Sequence, residues 1–424
     1  MQNILHMNSL AKSWISISAD SDFSIQNIPF GIIKHLKTQH ISVSTRIGDT
    51  IVDLSVLADL GAFSSIKGFD KSTLTNLYLN DFIALGKTVT SAVRLEIIEL
   101  FKESNKDINQ KYTASFLQLQ DIENLLPVKV GDYTDFYSSI DHATNIGTMI
   151  RDPKNALMPN WKYIPVGYHG RASSICVSGH TFHRPKGQQK PADSEFPTFG
   201  PSKLLDFELE TAYIVGKSTT LGESISTQKA DDYIFGMVLF NDWSARDIQT
   251  WEYIPLGPFL SKNFASTISA WVVTLDALEP FRTKGYTQEP KVFPYLEYRG
   301  NKNIDIKLEV AIMPENSSET VICNSNYKYM YWTMEQQLAH HTINGCNVNI
   351  GDMMGSGTIS GPEPYEYGSM MELSWKGTKP LKLNDGSERK FINDHDTVIL
   401  RGYCQNEYIR VGFGECKAKV LPAN

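Results

Sequence analysis

Residues 131–147 read Gly-Asp-Tyr-Thr-Asp-Phe-Tyr-Ser-Ser-Ile-Asp-His-Ala-Thr-Asn-Ile-Gly and bring aromatic, hydroxyl, carboxylate and imidazole groups together in a short stretch of chain. Such a segment gains little from simple burial, because each buried polar group needs a partner. Asp135 and Tyr137 share a face in extended chain, and no second histidine lies within about 25 residues of His142. We interpret this stretch as the wall of an active site, with Asp135 as a metal ligand and His142 as a base. The alternative is a polar turn with a surface histidine.

Composition limits the class of protein. At 424 residues the chain is longer than a single core usually supports, which predicts two domains. Hydrophobic residues at 41% and charged residues at 21% are typical of a soluble globular protein. The net charge of -7 and the pI near 5.8 argue against a nucleic-acid partner, which would require a basic face. No apolar run reaches the roughly 18 residues that a membrane span requires.

The cysteines suggest the cellular compartment. They are scattered, odd in number and free of CxxC spacing: Cys176, Cys323, Cys346, Cys404 and Cys416. This pattern indicates reduced thiols rather than a disulfide framework. The first 12 residues also lack the continuous apolar region of a signal peptide. We therefore expect a cytoplasmic protein.

Residues 1–127 have the pattern of a small separate domain. Segments 41–47 and 50–54 predict two strands joined by a hairpin turn at Gly48-Asp49. Apolar residues have helical spacing over 74–85 and again over 89–100, and a polar connector follows at 102–107. None of these segments gathers catalytic residue types. A structural or dimer-building role is expected.

Residues 128–424 change to short β-type runs broken by Gly, Pro and Asp. Predicted strands cover 233–240, 268–275 and 396–400, and the clearest helical pattern covers 332–343. The turn-rich segment 184–201 predicts a long loop near the site entrance. Many short strands with few helices favour a mainly β fold, a β-rich α+β protein with a roll or barrel-like sheet.

Two further carboxylates alternate with apolar residues in the segment 204–213. Glu208 and Glu210 fall on one face of the predicted strand, and Phe207 and Leu209 fall on the other. Two adjacent carboxylates repel each other unless a cation lies between them. If both side chains are exposed, this face of the strand is simply solvated. If they line a cavity instead, Mg²⁺ or Ca²⁺ suits their hard oxygen atoms better than zinc.

Asp242 follows an apolar strand and has the chemistry of a helix N-cap. If a helix starts there, Arg246 and Gln249 lie on the same face as Asp242. The alternative is a plain cap with a helix ion pair. Lys262 follows a Gly-Pro turn, which usually means a surface charge, but its aromatic and aliphatic neighbours favour a more inward position.

The last candidates lie near the C-terminus. Residues 351–361 form a glycine-rich loop that lacks the P-loop pattern but could let backbone approach a ligand closely. Glu372 lies in a predicted apolar strand, where His142 would be a suitable charge partner. The pairs His180/His183 and His340/His341 lack zinc-site spacing or a carboxylate companion, and we assign them structural roles.

Taken together, these segments resemble the fumarylacetoacetate hydrolase family over nearly the whole chain, after an N-terminal extension of about a dozen residues. The resemblance is carried by ordered blocks at 19–27, 131–139, 142–145, 165–174, 206–210, 241–247, 251–259, 356–361 and 372–378. It implies a small SH3-like N-terminal barrel (1–127) and a larger C-terminal catalytic β-roll domain (128–424), assembled as a homodimer. It also implies a Ca²⁺- or Mg²⁺-dependent hydrolase that cleaves 4-fumarylacetoacetate, a small diketo acid, to fumarate and acetoacetate, the last step of tyrosine and phenylalanine catabolism.

The resemblance also assigns roles to single residues. The metal group is Asp135, Glu208, Glu210 and Asp242, with Lys262 and Ser266 beside the cation. The catalytic group is His142, Glu372, Arg246, Gln249 and Lys262. The substrate-binding group is Tyr137, Arg151, Tyr168, Gln249, Tyr253 and Thr358. One departure is that Ala265-Ser266 replaces the family's Gly-Thr, so Ser266 must supply the hydroxyl near the cation.

Two other classes of function are compatible with these residues. Relatives with the same metal site act as decarboxylases, isomerases or hydrolases of other oxo-acids. A non-enzymatic protein could use the cation only to stabilise its fold. The pairing of His142 with Glu372 and the full two-domain length favour fumarylacetoacetate hydrolysis.

Overall fold

The computed structural model describes residues 11–151 and 153–424. The predictions about the extreme N-terminus, its extension and its lack of a signal peptide, therefore fall almost entirely outside the described residues. Within the described ranges strand residues outnumber helical residues, which confirms the mainly β class.

The N-terminal part is built on a curled antiparallel sheet with the order β4-β3-β2-β1-β5. Its elements are β1 (Gly31–His35), β2 (Ile41–Ile47), β3 (Thr50–Asp53), α1 (Leu54–Asp59), α2 (Asn80–Ala84), α3 (Lys87–Phe101), β4 (Phe116–Gln118) and β5 (Ile122–Leu125). The predicted hairpin is confirmed, since β2 and β3 pair across a turn in which Gly48 has a φ of +57°. The first helical face is wrong: a 3₁₀ turn at Lys71–Thr75 and the separate short α2 replace one continuous helix.

The larger part carries the remaining elements. Its strands are β6 (Tyr133–Phe136), β7 (Gly167–His169), β8 (Ile175–Val177), β9 (Thr181–His183), β10 (Lys186–Gln189), β11 (Thr198–Pro201), β12 (Leu205–Asp206), β13 (Leu209–Val215), β14 (Ile234–Asp242), β15 (Ser244–Ala245), β16 (Ser266–Ile268), β17 (Val273–Thr274), β18 (Arg282–Thr283), β19 (Asn303–Ile304), β20 (Lys307–Met313), β21 (Thr320–Asn326), β22 (Met353–Gly355), β23 (Leu381–Lys382), β24 (Glu388–Arg389), β25 (Thr397–Gln405) and β26 (Arg410–Leu421). Its helices are α4 (Ile140–Ile150), α5 (Arg246–Glu252), α6 (Leu275–Leu278), α7 (Met334–Thr342) and α8 (Met370–Leu373).

Two sheets form the roll. The first has the order β7-β6-β22-β13-β14-β16-β8, and the second has the order β21-β20-β25-β26-β9. Every residue of β14 is buried, because the strand lies inside the first sheet and packs against β25 and β26 of the second. This explains its continuous apolar sequence, which is typical of a strand covered on both faces.

The two parts of the chain share a hydrophobic core. Phe30 and Phe82 of the N-terminal part pack against each other, with tilted rings whose centroids lie 4.9 Å apart. The same cluster continues into Ile214, Val238 and Phe240 of the large sheet. The N-terminal sheet therefore covers one face of the strands that carry the site.

Several local predictions can be compared with the observed elements. The strand at 233–240, the strand at 396–400 and the helix at 332–343 are confirmed as β14, β25 and α7. The predicted strand at 268–275 is wrong, because β16 ends at Ile268 and the chain resumes as β17 and α6. The predicted loop at 184–201 is instead a hairpin of β10 and β11, which packs against α5.

Two negative expectations concern the membrane and the cysteines. Across the part of the chain that the structure describes, no helix is both long and apolar enough to span a bilayer. All five cysteine thiols are free.

Candidate active site

A cluster of carboxylates lies at the centre of the large sheet. Asp135, Glu208, Glu210 and Asp242 are all buried, and each offers an oxygen atom within 4.8 Å of the others' oxygens. Among the described residues this is the one group of its kind formed by His, Cys, Asp and Glu side chains. The predicted convergence is therefore observed, with carboxylates drawn from positions between 135 and 242 of the chain.

Strand pairing explains the convergence. Asp135 in β6 lies opposite Tyr168 of β7 on one side and Gly355 of β22 on the other. Asp242 ends β14 and lies opposite Ser266 of β16. Because β6, β22, β13 and β14 are consecutive interior strands of one sheet, their polar residues meet near its centre.

The segment around Glu208 is less regular than predicted. The single strand expected over 204–213 is wrong, because β12 and β13 are separate strands and Phe207 and Glu208 lie between them. Glu208 forms an isolated bridge with Ser369, which precedes α8. This break still leaves the Glu208 carboxylate beside that of Glu210, as the alternation required.

The glycine-rich loop allows the carboxylates to approach one another. A Cβ atom at Gly355 would lie 2.9 Å from Asp135 Oδ1 and 3.2 Å from Glu210 Oε2. Gly357 has a φ of +77° and donates its N–H to Glu210 Oε2 at 2.9 Å. Glycine therefore suits both positions: Gly355 leaves space for the two carboxylates, and Gly357 adopts a positive φ without strain.

Two cations neutralise part of this charge. Lys262 is buried; its Nζ contacts Glu208 Oε2 and lies 2.7 Å from Asp242 Oδ2. Arg246 pairs with Asp206 and Glu208, each at 2.8 Å. The inward position expected for Lys262 is thus observed.

The predicted helix start at Asp242 is wrong. Asp242 is a strand residue, and α5 begins at Arg246. Arg246 therefore does not pair with Asp242, although its Nη1 donates to Gln249 Oε1 at 3.2 Å on the same helix. A two-residue strand, β15, separates the two positions because it pairs with β12.

The electrostatics of the cluster favour a cation. Burial and the repulsion between neighbouring carboxylates raise the pKa of Asp135 and of Glu210 well above their usual range. Asp135 Oδ1 and Glu210 Oε1 are buried and have no hydrogen-bond partner among the described residues. Even with Lys262 and Arg246 beside them, the four carboxylates leave excess negative charge when all are ionised. A divalent cation with oxygen ligands fits this donor set.

The remaining charged groups near the cluster keep their charges. Although burial opposes it, the charges of Lys262 and Arg246 lower the pKa of Glu208 to about 2. Burial likewise opposes the charged form of Lys262, but Asp242 and Glu208 raise its pKa above the usual value. An ammonium donates hydrogen bonds and cannot ligate a cation. Lys262, which was expected beside the metal, is therefore placed as a counter-charge.

The hydroxyl of Ser266 lies at the margin of the cluster. Its Oγ is 3.5 Å from Asp242 Oδ1, and the side chain is buried. Tyr168 approaches the same residue, with its hydroxyl donating to Asp242 Oδ2 at 3.2 Å. Both hydroxyl groups therefore lie beside the Asp242 carboxylate.

His142 and Glu372 form a buried pair. His142 Nδ1 lies 2.7 Å from Glu372 Oε2. The sequence places His142 in the first turn of α4, where the hydroxyl of the N-cap residue Ser139 accepts from its backbone N–H. Although burial opposes it, the neighbouring His142 and the hydrogen bonds from His142, Asn145 and Ser369 lower the pKa of Glu372, so the carboxylate is retained. Because Nδ1 is occupied, Nε2 is the ring nitrogen left for chemistry.

The surroundings of Glu372 differ from the prediction. The apolar strand expected at 369–375 is wrong; Glu372 lies in the short helix α8, capped by Ser369. The Glu372 carboxylate accepts from Asn145 at 2.9 Å, from Ser369 at 2.7 Å and from Ser360 at 2.9 Å.

Sequence reasoning missed these supporting groups, together with Asp206. Asp206 holds Arg246 and accepts the backbone N–H groups of Met370 and Met371 that open α8. A Ser-x-x-Glu capping pattern at 369–372 and a third alternating acid at 206 were the available signals.

Part of the carboxylate cluster and the imidazole of His142 border one cavity of about 670 Å³, a size typical of small-molecule sites. The predicted metal ligands Asp135, Glu208 and Glu210 line it together with His142. The lining also includes every predicted substrate-binding residue, namely Tyr137, Arg151, Tyr168, Gln249, Tyr253 and Thr358.

The other histidine pairs lie elsewhere. His180 bonds the hydroxyl of Thr267 at 2.9 Å, and His341 bonds that of Thr134 at 3.0 Å. Neither pair joins the carboxylate cluster. These contacts agree with the structural roles assigned to them.

Two family models match the chain. The model described as Fumarylacetoacetase N-terminal matches residues 26–127, and the model described as Fumarylacetoacetate (FAA) hydrolase C-terminal matches residues 133–421. The chain is 52% identical to fumarylacetoacetase of Dictyostelium discoideum over 424 residues, covering 98% of this chain and 99% of that protein. It is 50% identical to fumarylacetoacetase of Homo sapiens over 415 residues, covering 97% and 99%.

Solved structures share the fold at low identity. A fumarylacetoacetate hydrolase from psychrophilic Exiguobacterium antarcticum superposes with a TM-score of 0.52 at 14% identity, covering 94% of this chain and 100% of that one. A maleylpyruvate hydrolase from Sphingobium gives a TM-score of 0.51 at 12% identity, covering 93% and 100%. At this identity the similarity supports the architecture alone.

Proposed function

This chain belongs to the fumarylacetoacetate hydrolase family, and we propose that it hydrolyses a carbon–carbon bond of 4-fumarylacetoacetate to give fumarate and acetoacetate, the last step of tyrosine and phenylalanine catabolism. The observation that carries the proposal is a single cavity bordered by a buried carboxylate cluster and a carboxylate-held histidine. The substrate is suggested by relatives named fumarylacetoacetase, which share about half of the residues over nearly the full length.

The cofactor in this proposal is Ca²⁺ or Mg²⁺. Asp135, Glu208, Glu210 and Asp242 would hold it, with Ser266 as a nearby hydroxyl. Hard carboxylate and hydroxyl oxygens suit these ions better than softer metals. When bound, the ion would supply Lewis-acid polarisation of a substrate carbonyl.

His142 is the general base. Cleavage of a 1,3-diketone by water begins with attack of the water oxygen on a carbonyl carbon, and His142 Nε2 would take the proton that this water loses. Glu372 holds Nδ1 and stabilises the positive charge that the ring acquires. Asn145, Ser360 and Ser369 fix the carboxylate of Glu372 in turn.

Three hydrogen-bond donors in the same cavity can stabilise the negative charge that develops on the leaving group. The bond between the attacked carbonyl carbon and the adjacent CH₂ breaks, and its electron pair leaves on acetoacetate as an enolate. Lys262, Arg246 and Gln249 line the cavity and can stabilise this charge. The proton held by His142 then returns to the enolate carbon, which balances the addition of water.

Arg151 and the aromatic hydroxyls position the substrate. Arg151 can pair with a substrate carboxylate. Tyr137, Tyr168, Tyr253 and Thr358 add hydroxyl groups around the same cavity. The ring of Tyr137 packs edge-on against His142 at 5.3 Å between centroids, which restrains the base.

Assembly, compartment and domain division are parts of the same proposal. Residues 1–127 and 128–424 are proposed as two domains and the chain as a cytoplasmic homodimer. Free thiols at all five cysteines suit a reducing compartment. The exposed apolar side chains of Ile254, Leu256 and Phe259 are of the kind that association covers. Sedimentation at equilibrium tests the dimer; a mass of 47.7 kDa would indicate a monomer.

One assay tests the reaction. Purified protein is incubated with fumarylacetoacetate, and the loss of diketone absorbance is followed with and without EDTA. We expect turnover that EDTA abolishes and that added Ca²⁺ or Mg²⁺ restores. Metal-dependent stability without any loss of diketone would instead identify the ion as a structural staple.

A further inference from the structure

Two cations that line the cavity have no ion-pair partner among residues 11–151 and 153–424, the ranges that the structure describes. Arg246 and Lys262 are neutralised by carboxylates of the cluster. Arg151 and Lys376 also line the cavity, and among the described residues neither has a carboxylate within ion-pair distance. Arg151 instead donates from Nη2 to the carbonyl of Ala156 at 2.6 Å. The cavity therefore presents two positive charges that a ligand could neutralise.

Lys376 lies in an unusual turn. Trp375, Lys376 and Gly377 have successive φ angles of +47°, +58° and +77°, a left-handed conformation that side chains with a Cβ disfavour. Several hydrogen bonds hold the turn. Lys376 N–H donates to the carbonyl of Met371 at 2.8 Å, and Gly377 N–H donates to Ser374 Oγ at 3.0 Å. Strain that many bonds maintain is typical of functional sites.

The turn connects Lys376 to the catalytic pair. It directly follows α8, which carries Glu372. A regular continuation of the helix would present residue 376 on the next helical turn; the left-handed run ends the helix instead and leaves Lys376 as part of the cavity lining. The side chain is otherwise exposed, so it has room to adjust to a ligand.

We propose that Lys376 is a substrate-binding residue that pairs with one terminal carboxylate of the diketo diacid, while Arg151 pairs with the other. This inference rests on the proposed function, because its substrate carries a carboxylate at each end. Two uncompensated cations match two carboxylates, whereas a monocarboxylate would leave one cation unpaired. Lys376 thus contributes to selection of dicarboxylates.

The test compares substrates that differ in one carboxylate. The probes are fumarylacetoacetate, 3,5-dioxohept-6-enoate (which lacks the fumaryl carboxylate) and 4,6-dioxohept-2-enoate (which lacks the acetoacetate carboxylate). The monoacids are measured as substrates or as competitive inhibitors. The variants are Lys376→Met, Lys376→Arg and, as a matched control from the same turn, Lys379→Met. Lys379 contacts the ring of Trp375 and does not line the cavity.

We expect Lys376→Met to raise KM for the diacid about tenfold, the effect of one charge-assisted hydrogen bond, with little change in kcat. The variant should bind one monoacid about as much more weakly as it binds the diacid. Its binding of the other monoacid should be unchanged, because that acid lacks the carboxylate that Lys376 binds. Lys376→Arg should restore most of the affinity, and Lys379→Met should behave as wild type.

Equal losses on all three acids, or no loss on the diacid, would overturn the role of Lys376. A wild-type protein that binds and turns over none of the acids would overturn the proposed function and this inference together. Because the wild type is measured first, the two failures are distinguishable.

Discussion

At the scale of single residues, the site depends on which groups keep a charge after burial. Glu372 remains a carboxylate because His142 and three neutral donors surround it. Asp135 and Glu210 have less compensation, and burial together with the neighbouring carboxylates raises their pKa. The same fold thus prepares one carboxylate to support a base and others to receive a cation.

Replacing His142 with Ala removes the proposed base. We expect turnover to fall at least about 100-fold, the lower range for loss of general-base catalysis, because no other imidazole lines the cavity in the described ranges. Metal binding should be unaffected, since His142 is not part of the carboxylate cluster. The measurements are kcat and the stabilisation by Ca²⁺ in thermal unfolding. Near-normal turnover would contradict the assignment.

Replacing Glu372 with Gln tests the charge that supports the base. The amide places a donor among the donors of His142, Asn145 and Ser360, and it no longer stabilises a positive imidazole. We expect kcat to fall about 100-fold. Ser360→Ala is the matched comparison, because it removes one hydrogen bond to Glu372 and keeps the carboxylate. In Ser360→Ala, kcat should fall about tenfold or less. Equal losses in both variants would show that packing, not charge, matters here.

At the scale of elements, the site is a product of strand order. β6, β22, β13 and β14 are neighbours in one sheet although they lie far apart in the sequence. Glycine in β22 gives the Asp135 and Glu210 carboxylates space between the strands. The geometry of the cluster therefore depends on a residue that has no side chain.

Replacing Gly355 with Ala tests this dependence. The added Cβ would meet Asp135 Oδ1 at 2.9 Å and Glu210 Oε2 at 3.2 Å, so the carboxylates must move apart. We expect metal affinity to fall at least about tenfold, as for loss of a group that orients metal ligands, with activity falling in parallel. Calorimetric titration with Ca²⁺ measures the affinity. Gly200→Ala in β11 is the control, because nothing lies within 4 Å of its added Cβ. Unchanged affinity in Gly355→Ala would refute this account of the glycine.

The sequence was informative where chemistry and periodicity agreed. β14 was predicted because its run of apolar residues is long and continuous, and Asp135, Glu208, Glu210 and Asp242 were identified by type and by family resemblance. The helix start at Asp242 was wrong because capping preference is local, whereas the pairing of β15 with β12 is not. The support that Asp206 gives to Arg246 was missed for the same reason. Long-range pairing decides such details, and local pattern carries little information about it.

At the scale of the whole molecule, the N-terminal sheet and the roll share one hydrophobic core. The strands that carry the carboxylates contribute apolar side chains to this core, and carboxylates of the cluster border the cavity. A cation that relieves repulsion in the cluster therefore stabilises strands that belong to the common core. Metal binding and global stability should be coupled.

This coupling should depend on pH with a defined sign. Without metal, Asp135 and Glu210 have a higher pKa in the folded protein than in the unfolded chain. The folded state then binds more protons above the unfolded pKa values, and stability falls as pH rises from about 4.5 toward neutrality. A bound cation replaces those protons. The difference in Tm between Ca²⁺ and EDTA should therefore be larger at about pH 7.5 than at about pH 5.5, and at least about 5 °C at saturating metal.

Asp135→Asn separates this effect from general metal binding. Removing one of the repelling charges should raise the Tm in EDTA and reduce the response to Ca²⁺. Asp121→Asn makes the same charge change at an exposed position outside the cluster and should leave both quantities unchanged. If the metal response were equal at both pH values, or survived in Asp135→Asn at full size, the cation would not be held by this cluster. Because folding stability is the readout, the result does not depend on the identity of the substrate.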